Sequence, residues 1–363
     1  MPCDPEKDVA QLQYTGGTTG TPKGAMLTHQ NISANARQIN LIDPRSRANQ
    51  PAAPAEDRIL GVLPFFHVFA NATVLNRTID NGGEIVMLPR FEAAAALKAV
   101  NRTKVTALPG VPTMYQALLD NAELPNTDFS SLRACISGGA PLAAELKARF
   151  EEVAHAVVIE GYGLTESSGV ISCNPYEGAN KIGSIGQPIP GTHVRLADKE
   201  DPSKPAPDGE PGELLAKGPQ MMAGYWNKPV ATAEVFVDGW LRTGDVATID
   251  EDGFIFIVDR LKDMIAVGGF KVFPSQVEDI LYRHPAVKEA LVIGVPDTYA
   301  GERPKAFVTL NNGHAVSGAE LADWLNPQLG KHERVLGVEV RDALPKTMIG
   351  KLDRKALRAE IGA

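Results

Sequence analysis

Cysteine is scarce in this sequence. Cys3, Cys135 and Cys173 are too few and too scattered among 363 residues to build a disulfide framework or a zinc cluster. Long apolar runs are missing as well. The most apolar stretch, residues 61–75, is broken by Pro64, His67 and Asn71 and is too short to span a bilayer. Residues 1–8 contain no apolar signal segment, so a cytoplasmic location is the expectation. Positive charge is not in excess either: 36 Lys and Arg against 44 Asp and Glu give a net charge of −8. That balance argues against nucleic acid as a partner. It leaves room for phosphates held by a few local cations and backbone N–H groups. No internal repeat is visible. What is present is a globular composition, 44% hydrophobic and 22% charged, which excludes global disorder. The length suggests two or three domains, and 34 Gly and 27 Pro imply many turns.

The first two-thirds of the chain alternates short β-rich runs with helical patterns. Strands are predicted over 9–14, 58–63, 84–88, 104–108, 133–136 and 157–160, with Thr28 as a helix N-cap and helices around 114–119 and 142–154. Repeated strand–glycine turn–helix units point to an α/β layered domain with a largely parallel sheet. From about residue 183 short strands over 194–197, 212–217, 246–250 and 254–258 suggest a small β subdomain, with a hairpin signal at 250–253. After 259–263 the pattern resets. A helix over 275–283, strands over 290–295 and 306–310, a helix over 318–325 and a strand over 338–341 make a compact α+β unit.

The strongest local signal is Tyr14-Thr-Gly-Gly-Thr-Thr-Gly-Thr-Pro-Lys-Gly24. Its glycines let the backbone approach an anion, its hydroxyls and amides can donate to phosphate oxygens, and Lys23 adds a charge. It lacks the Gly-Lys-Ser/Thr ending of a Walker loop. Alone, it reads equally as a flexible Thr/Gly turn. Further segments accompany it in order: Leu63-Pro-Phe-Phe-His67, Ser137-Gly-Gly-Ala-Pro-Leu142, Gly161-Tyr-Gly-Leu-Thr-Glu-Ser167, Trp240-Leu-Arg-Thr-Gly-Asp245, Asp259-Arg-Leu-Lys-Asp263 and Pro345-Lys-Thr-Met-Ile-Gly-Lys351.

This series closely resembles the adenylate-forming superfamily of acyl-CoA synthetases, aryl-CoA ligases, luciferases and peptide-synthetase adenylation domains. The resemblance runs from Leu12 to Leu357, and within the superfamily it looks most like bacterial long-chain fatty acid–CoA ligases. It implies a two-step reaction: a fatty acid carboxylate attacks the α-phosphate of ATP to give acyl-AMP and pyrophosphate, and the thiol of CoA then displaces AMP. It implies a large AMP-binding domain over 1–258 with a β subdomain at about 183–258, a hinge at 259–263 and a small mobile α+β domain over 264–363.

By the same resemblance Thr15, Gly16, Gly17, Thr18, Thr19 and Gly20 would hold the β- and γ-phosphates, with Lys23 as a supporting cation. Gly138, Gly139 and Ala140 would pack against adenine and Tyr162 would stack on its other face, within the adenine and ribose set Glu160, Gly161, Tyr162 and Gly163. Glu166 would help to hold Mg²⁺, a hard cation suited to carboxylate and phosphate oxygens, and Thr165 would reach a phosphate. Asp245 would accept the ribose hydroxyls, as acidic residues do in other nucleotide sites, with Arg260 contacting the same sugar. His67 would stand beside the acyl carboxylate. Lys351 would act in adenylation, Lys262 would be the hinge, and Gly269 would line the path of CoA. Each has an ordinary alternative: His67 and Tyr162 as core, Glu166 as a helix-terminal charge, Asp245 as a turn residue, Lys351 as a solvated lysine like Lys346 and Lys355. Ala266 departs from the Lys of many aryl-CoA ligases, which favours the fatty acid reading. The acyl tunnel would form around 67–71, 113–115 and 138–163.

The family also carries a long segment before the phosphate loop. The chain is therefore expected to hold the remainder of the large domain, with unpaired strand edges, apolar faces exposed and turnover impaired. Candidate partners are the fatty acid, ATP and CoA, with a homodimer, a complementing N-terminal segment and peripheral membrane association left open. The competing readings are an aryl or other acyl-AMP-forming ligase and a non-catalytic nucleotide-binding fragment.

Overall fold

The computed structural model describes residues 2–15, 22–51, 57–347 and 352–362. A seven-stranded sheet runs in the order Glu84–Met87, Arg58–Gly61, Ala107–Gly110, Ala134–Ser137, Val157–Leu164, Gly169–Cys173, Gln187–Pro188. The first five strands are parallel, because helices carry the chain back across the sheet between them. The last two are antiparallel, the first of them entered through the short turn at 165–168. Helices Ala93–Thr103, Pro112–Leu119 and Ala144–Ala154 bury Leu97, Val100, Leu118 and Phe150 against one face. The ring of Tyr115 meets Phe150 edge-on at 4.9 Å between centroids. Its hydroxyl lies 2.8 Å from the Leu108 carbonyl and 3.0 Å from that of Ile136, at the ends of two parallel strands. Tyr115, expected on the acyl tunnel, is a core residue whose one polar atom is satisfied by the sheet.

Thr28 does cap its helix. Its side chain accepts from the Asn31 N–H at 3.2 Å while Asn31 accepts from the Thr28 N–H at 2.9 Å, starting helix His29–Ile42 with two donors satisfied reciprocally. The strand ahead of it, Gly24–Thr28, went unassigned in the sequence; it is the centre of a three-stranded sheet with Val9–Tyr14 and Gly224–Tyr225. Val9–Tyr14 is an edge strand of that sheet and leaves Val9, Leu12 and Tyr14 exposed. The apolar stretch after His67 is helical: Val68–Ala70, a π-helical segment Asn71–Asn76, then Arg77–Asn81.

A five-stranded antiparallel sheet packs beyond the large one, built on Trp240–Ile249 with Gly212–Lys217, His193–Ala197, Phe236–Val237 and Ile255–Arg260. Ile249 pairs with Ile255 across the turn signalled at 250–253. The C-terminal unit follows: the long antiparallel pair Val287–Asp297 and Gly301–Leu310, with Ile265–Val267, Phe270–Val272 and Val338–Val340 alongside, covered by helices Pro274–Tyr282, Gly318–Leu325 and Arg354–Ile361. Mixed α/β architecture with a small C-terminal domain is what the sequence pattern led one to expect.

A buried ion cluster ties the large unit together. Arg77, 2% exposed, lies 2.6 Å from Asp43 and 3.3 Å from Asp57, and Asn81 donates to Asp57. Helix Arg77–Asn81 is thus bound to the end of helix His29–Ile42 and to the start of strand Arg58–Gly61. Removing one member of such a cluster leaves an uncompensated buried charge. Arg77→Met is expected to lower unfolding free energy by about 3–5 kcal/mol in urea denaturation; an unchanged midpoint would show the cluster to be energetically idle.

Candidate active site

The carboxyl ends of the parallel strands open into a cleft of about 2950 Å³ whose other wall comes from the five-stranded sheet and the C-terminal unit. Ligands bind at this end of parallel α/β sheets because strand termini and helix starts converge there. Strand Ala134–Ser137 delivers Gly138, Gly139 and Ala140 to the cleft. Strand Val157–Leu164 delivers Glu160, Gly161, Tyr162 and Gly163, and the turn after it delivers Thr165 and Glu166. A Cβ on Gly163 would lie 1.7 Å from the Gly169 carbonyl oxygen, so the doubled-back chain at this point requires a residue without one.

Asp245 lies on the opposite wall, 4% exposed. Tyr162 O–H donates to its Oδ2 at 2.5 Å and Arg260 Nε stands 3.4 Å from its Oδ1. Burial pushes the carboxyl above its usual range, opposed by Arg260 and by the Tyr162 hydrogen bond. The Tyr162 phenol is driven well above its normal value by burial and then by the Asp245 charge, so it remains a donor. Tyr162, expected to stack on adenine, therefore also anchors the ribose candidate. The loop bearing Asp245 is itself held: Arg242 forks onto Glu213 at 2.8 and 3.0 Å, and the Gly244 N–H reaches Glu213 Oε1 at 3.2 Å.

Glu160 and Ser137 face each other in register across adjacent strands. Among the described residues, Ser137 Oγ and Glu160 Oε1 are both buried without a hydrogen-bond partner. Burial raises the Glu160 carboxyl to about 7, against the opposing pull of the Lys147 charge and the Leu142 backbone N–H. Glu166 is half-buried, and its Oε1 accepts from Tyr225 O–H at 2.6 Å. His67 caps the helix that follows it, its Nδ1 accepting the Phe69 N–H at 3.2 Å, which places the proton of the neutral ring on Nε2.

The 259–263 segment is tied on both sides. Asp259 accepts from the Ser275 N–H at 2.8 Å, at the start of helix Pro274–Tyr282, while Asp263 lies 3.3 Å from Arg358 on the last helix. Lys262 lies on the turn between them and lines the cleft. Thr15, Lys23, His67 and Arg260 line it as well. Gly269 does not. It forms with Gly268 the two-residue turn of hairpin Ile265–Val272, with φ of 86° and 56°, a left-handed pair that such a turn demands. Gly16, Gly17, Thr18, Thr19, Gly20 and Lys351 lie outside the described residues, although Lys346, Thr347 and Leu352, flanking the last, face the cleft. Lys346, expected to be solvated, is 2.5 Å from Glu289. Sequence reasoning missed Ser137, Asp259, Glu213 and Tyr225 as supporting residues. The first three lie in or beside segments already singled out; Tyr225 gave no signal at all.

The AMP-binding enzyme family model matches residues 1–226, and the AMP-binding enzyme C-terminal domain model matches residues 276–351. The chain belongs to the AMP-binding enzyme family. Within this family it is 45% identical over 359 residues to a long-chain-fatty-acid–CoA ligase of Bacillus subtilis, matching 98% of this chain and 62% of that protein. It is 43% identical over 356 residues to a feruloyl-CoA synthase of an Amycolatopsis species, covering 98% and 70% of the two chains. The chain thus spans about 62% of the length of the fatty acid ligases it matches. Among solved structures, ATP-bound MatB from Rhodopseudomonas palustris superposes with a TM-score of 0.90 at 34% identity, over 98% of this chain and 68% of that one. The apo form of MatB gives 0.75.

Glu160 provides a direct check on the electrostatics of this AMP-binding fold. A carboxyl raised from 4.5 to about 7 on folding binds more protons in the native state between those values, so it costs stability as pH rises through that window. Glu160→Gln is expected to stabilise the protein at pH 8 by up to about 3 kcal/mol, with the advantage shrinking toward pH 4.5. A pH-independent difference in denaturation midpoint would place the raised pKa elsewhere.

Proposed function

We propose that this protein activates a carboxylic acid with ATP, forming acyl-AMP and pyrophosphate, and then transfers the acyl group to the thiol of CoA. The observation that carries the reading is the convergence on one cleft of Asp245, held by Tyr162 and Arg260, with the 138–140 loop, Glu166 and Lys23. Family membership supports it. The closer match to the ATP-bound than to the apo form of MatB supports an arrangement suited to the nucleotide-dependent half-reaction.

In this reading Asp245 accepts the ribose hydroxyls, and burial makes each such bond stronger than it would be in water. Arg260 and Tyr162 favour the charged carboxylate against its burial and aim it. The 138–140 loop offers a flat wall to adenine, and the unpaired Ser137 and Glu160 atoms mark the part of that wall where polar complementarity is incomplete. Thr15, the loop 16–20 and Lys23 take the β- and γ-phosphates. His67, with its proton on Nε2, donates to the carboxylate of the acid and orients it for attack.

Magnesium fits the residues present. Glu166 is a half-buried carboxylate facing the cleft with one oxygen committed to Tyr225, and hard oxygen donors suit that ion. Among the described residues no group of three or more His, Cys, Asp and Glu could hold a metal, so the protein would supply one carboxylate and the nucleotide the other oxygens, the usual division for this cation. When bound, the ion neutralises phosphate charge. The tie at 259–263 lets the C-terminal unit turn about Lys262 between the two half-reactions, bringing Gly269 toward the thiol path and taking Lys351 away.

We favour a long-chain fatty acid as substrate, on the names of the fatty acid ligase relatives. The 43% identity to a feruloyl-CoA synthase keeps an aryl acid as the second reading. ATP–pyrophosphate exchange across a panel of acids separates them: exchange should be stimulated most by long-chain fatty acids, whereas hydroxycinnamates dominating would transfer the protein to the aryl class. Exchange with no acid would reject adenylation by this chain.

Two substitutions test the assigned roles. Asp245→Ala removes hydrogen bonds to ribose worth roughly 1.5–3 kcal/mol each and should weaken ATP binding at least ten-fold by calorimetry; unchanged affinity removes Asp245 from the site. Lys351→Ala should slow acyl-AMP formation by about 10²–10³, the scale of one electrostatic donor aimed at developing charge, while sparing thioester formation from supplied acyl-AMP and CoA. Equal loss in both half-reactions would make the lysine structural.

A further inference from the structure

Tyr225 touches both of the charges that the adenylation reading assigns to the phosphates and the metal. The ammonium of Lys23 sits 4.5 Å from the centre of its ring, a cation–π contact. Its hydroxyl donates to Glu166 Oε1 at 2.6 Å. The side chain is 5% exposed. One buried residue thus presents its π face to the cation and its only side-chain proton to the carboxylate.

Its backbone is fixed by the same elements. Gly224–Tyr225 pairs with the strand that follows the phosphate loop, Tyr225 opposite Ala25, and the Trp226 N–H donates to the Gly24 carbonyl at 2.8 Å. The Tyr225 N–H is held by Thr232 Oγ1 at 2.9 Å. Upstream, the Met222 N–H donates to the Glu166 carbonyl at 2.8 Å, and Ser168 Oγ donates to the Gln220 carbonyl at 2.9 Å. Residues 220–226 therefore join the strand after the phosphate loop to the turn that carries Thr165 and Glu166.

We propose that Tyr225 is a positioning residue that holds Lys23 and Glu166 apart and aimed, so that the lysine meets phosphate oxygens and the carboxylate meets the divalent cation of MgATP. The proposal rests on the adenylation reading above. Its physical reason is that an ammonium and a carboxylate lining one cleft attract each other. Paired directly, each would be lost to the nucleotide. The ring gives the lysine a neutral face to rest on. The hydroxyl engages one carboxylate oxygen and thereby sets the direction of the other, as hydrogen bonds behind a metal ligand commonly do. Burial and then the Glu166 charge push the phenol pKa well above its ordinary value, so the group stays a donor across the working range.

The test is calorimetric titration of the intact chain with ATP, in EDTA and at rising Mg²⁺, for wild type, Tyr225→Phe and Tyr225→Leu. Phe keeps the ring and loses the hydroxyl. Its ATP affinity in EDTA should match wild type, while the Mg²⁺ concentration for half-maximal strengthening of ATP binding rises about ten-fold, the scale of one hydrogen bond to a charged group. Leu loses both contacts. Lys23→Met should weaken ATP binding several-fold in the wild-type background and little in the Tyr225→Leu background, because the lysine is already misplaced there. Thermal melts show whether each variant is folded. A Tyr225→Phe protein with a wild-type Mg²⁺ titration, or additive effects of Lys23→Met and Tyr225→Leu, overturns the proposal while leaving the adenylation reading intact. A wild-type chain that binds no MgATP overturns both.

Discussion

A buried carboxylate at the meeting point of two β layers is the constraint on which the rest of the cleft depends. Asp245 must leave water to stand where it does, and an unpaired buried charge would simply take up a proton. A phenol from the parallel sheet and a guanidinium from the end of the next strand, Tyr162 and Arg260, oppose that tendency. Those two partners come from different layers, so pairing Asp245 also sets the spacing of the cleft walls. Glu213 extends the same logic outward: itself buried, it is satisfied by the Arg242 fork and the Gly244 amide, and it thereby shapes the turn that presents Asp245.

The C-terminal unit is attached by charges of the same kind. Arg260 belongs to the strand of the large part and Asp263 reaches Arg358 in the last helix, with Lys262 between them. Within the large unit the buried cluster at Arg77 joins two helices and a strand in the same way.

Much of this was legible in the residues. Strand–turn–helix units, the Thr28 cap and the hairpin at 250–253 each carry a local chemical signature, and local signatures survive folding. Boundaries shifted by a few residues because tertiary pairing extends strands, as in Val287–Asp297 and Trp240–Ile249. The helical run after His67 was hidden because its apolar residues occur on all sides, as they do in a fully buried helix, and no amphipathic period appears. Tyr115 was misplaced for a related reason: an aromatic beside a site motif reads alike whether it lines the site or packs behind it. Tyr225 was invisible because its meaning lies in two contacts with residues distant in sequence, and the raised carboxyl of Glu160 exists only once the strands around it have closed.

The central claim is that this cleft forms an acyl-adenylate. The most direct measurement is to incubate the chain with ATP, Mg²⁺ and palmitate in the absence of CoA and identify the bound product by mass spectrometry. The account predicts palmitoyl-AMP, with pyrophosphate released in equal amount. ADP with inorganic phosphate, or ATP recovered intact beside unmodified acid, would contradict it.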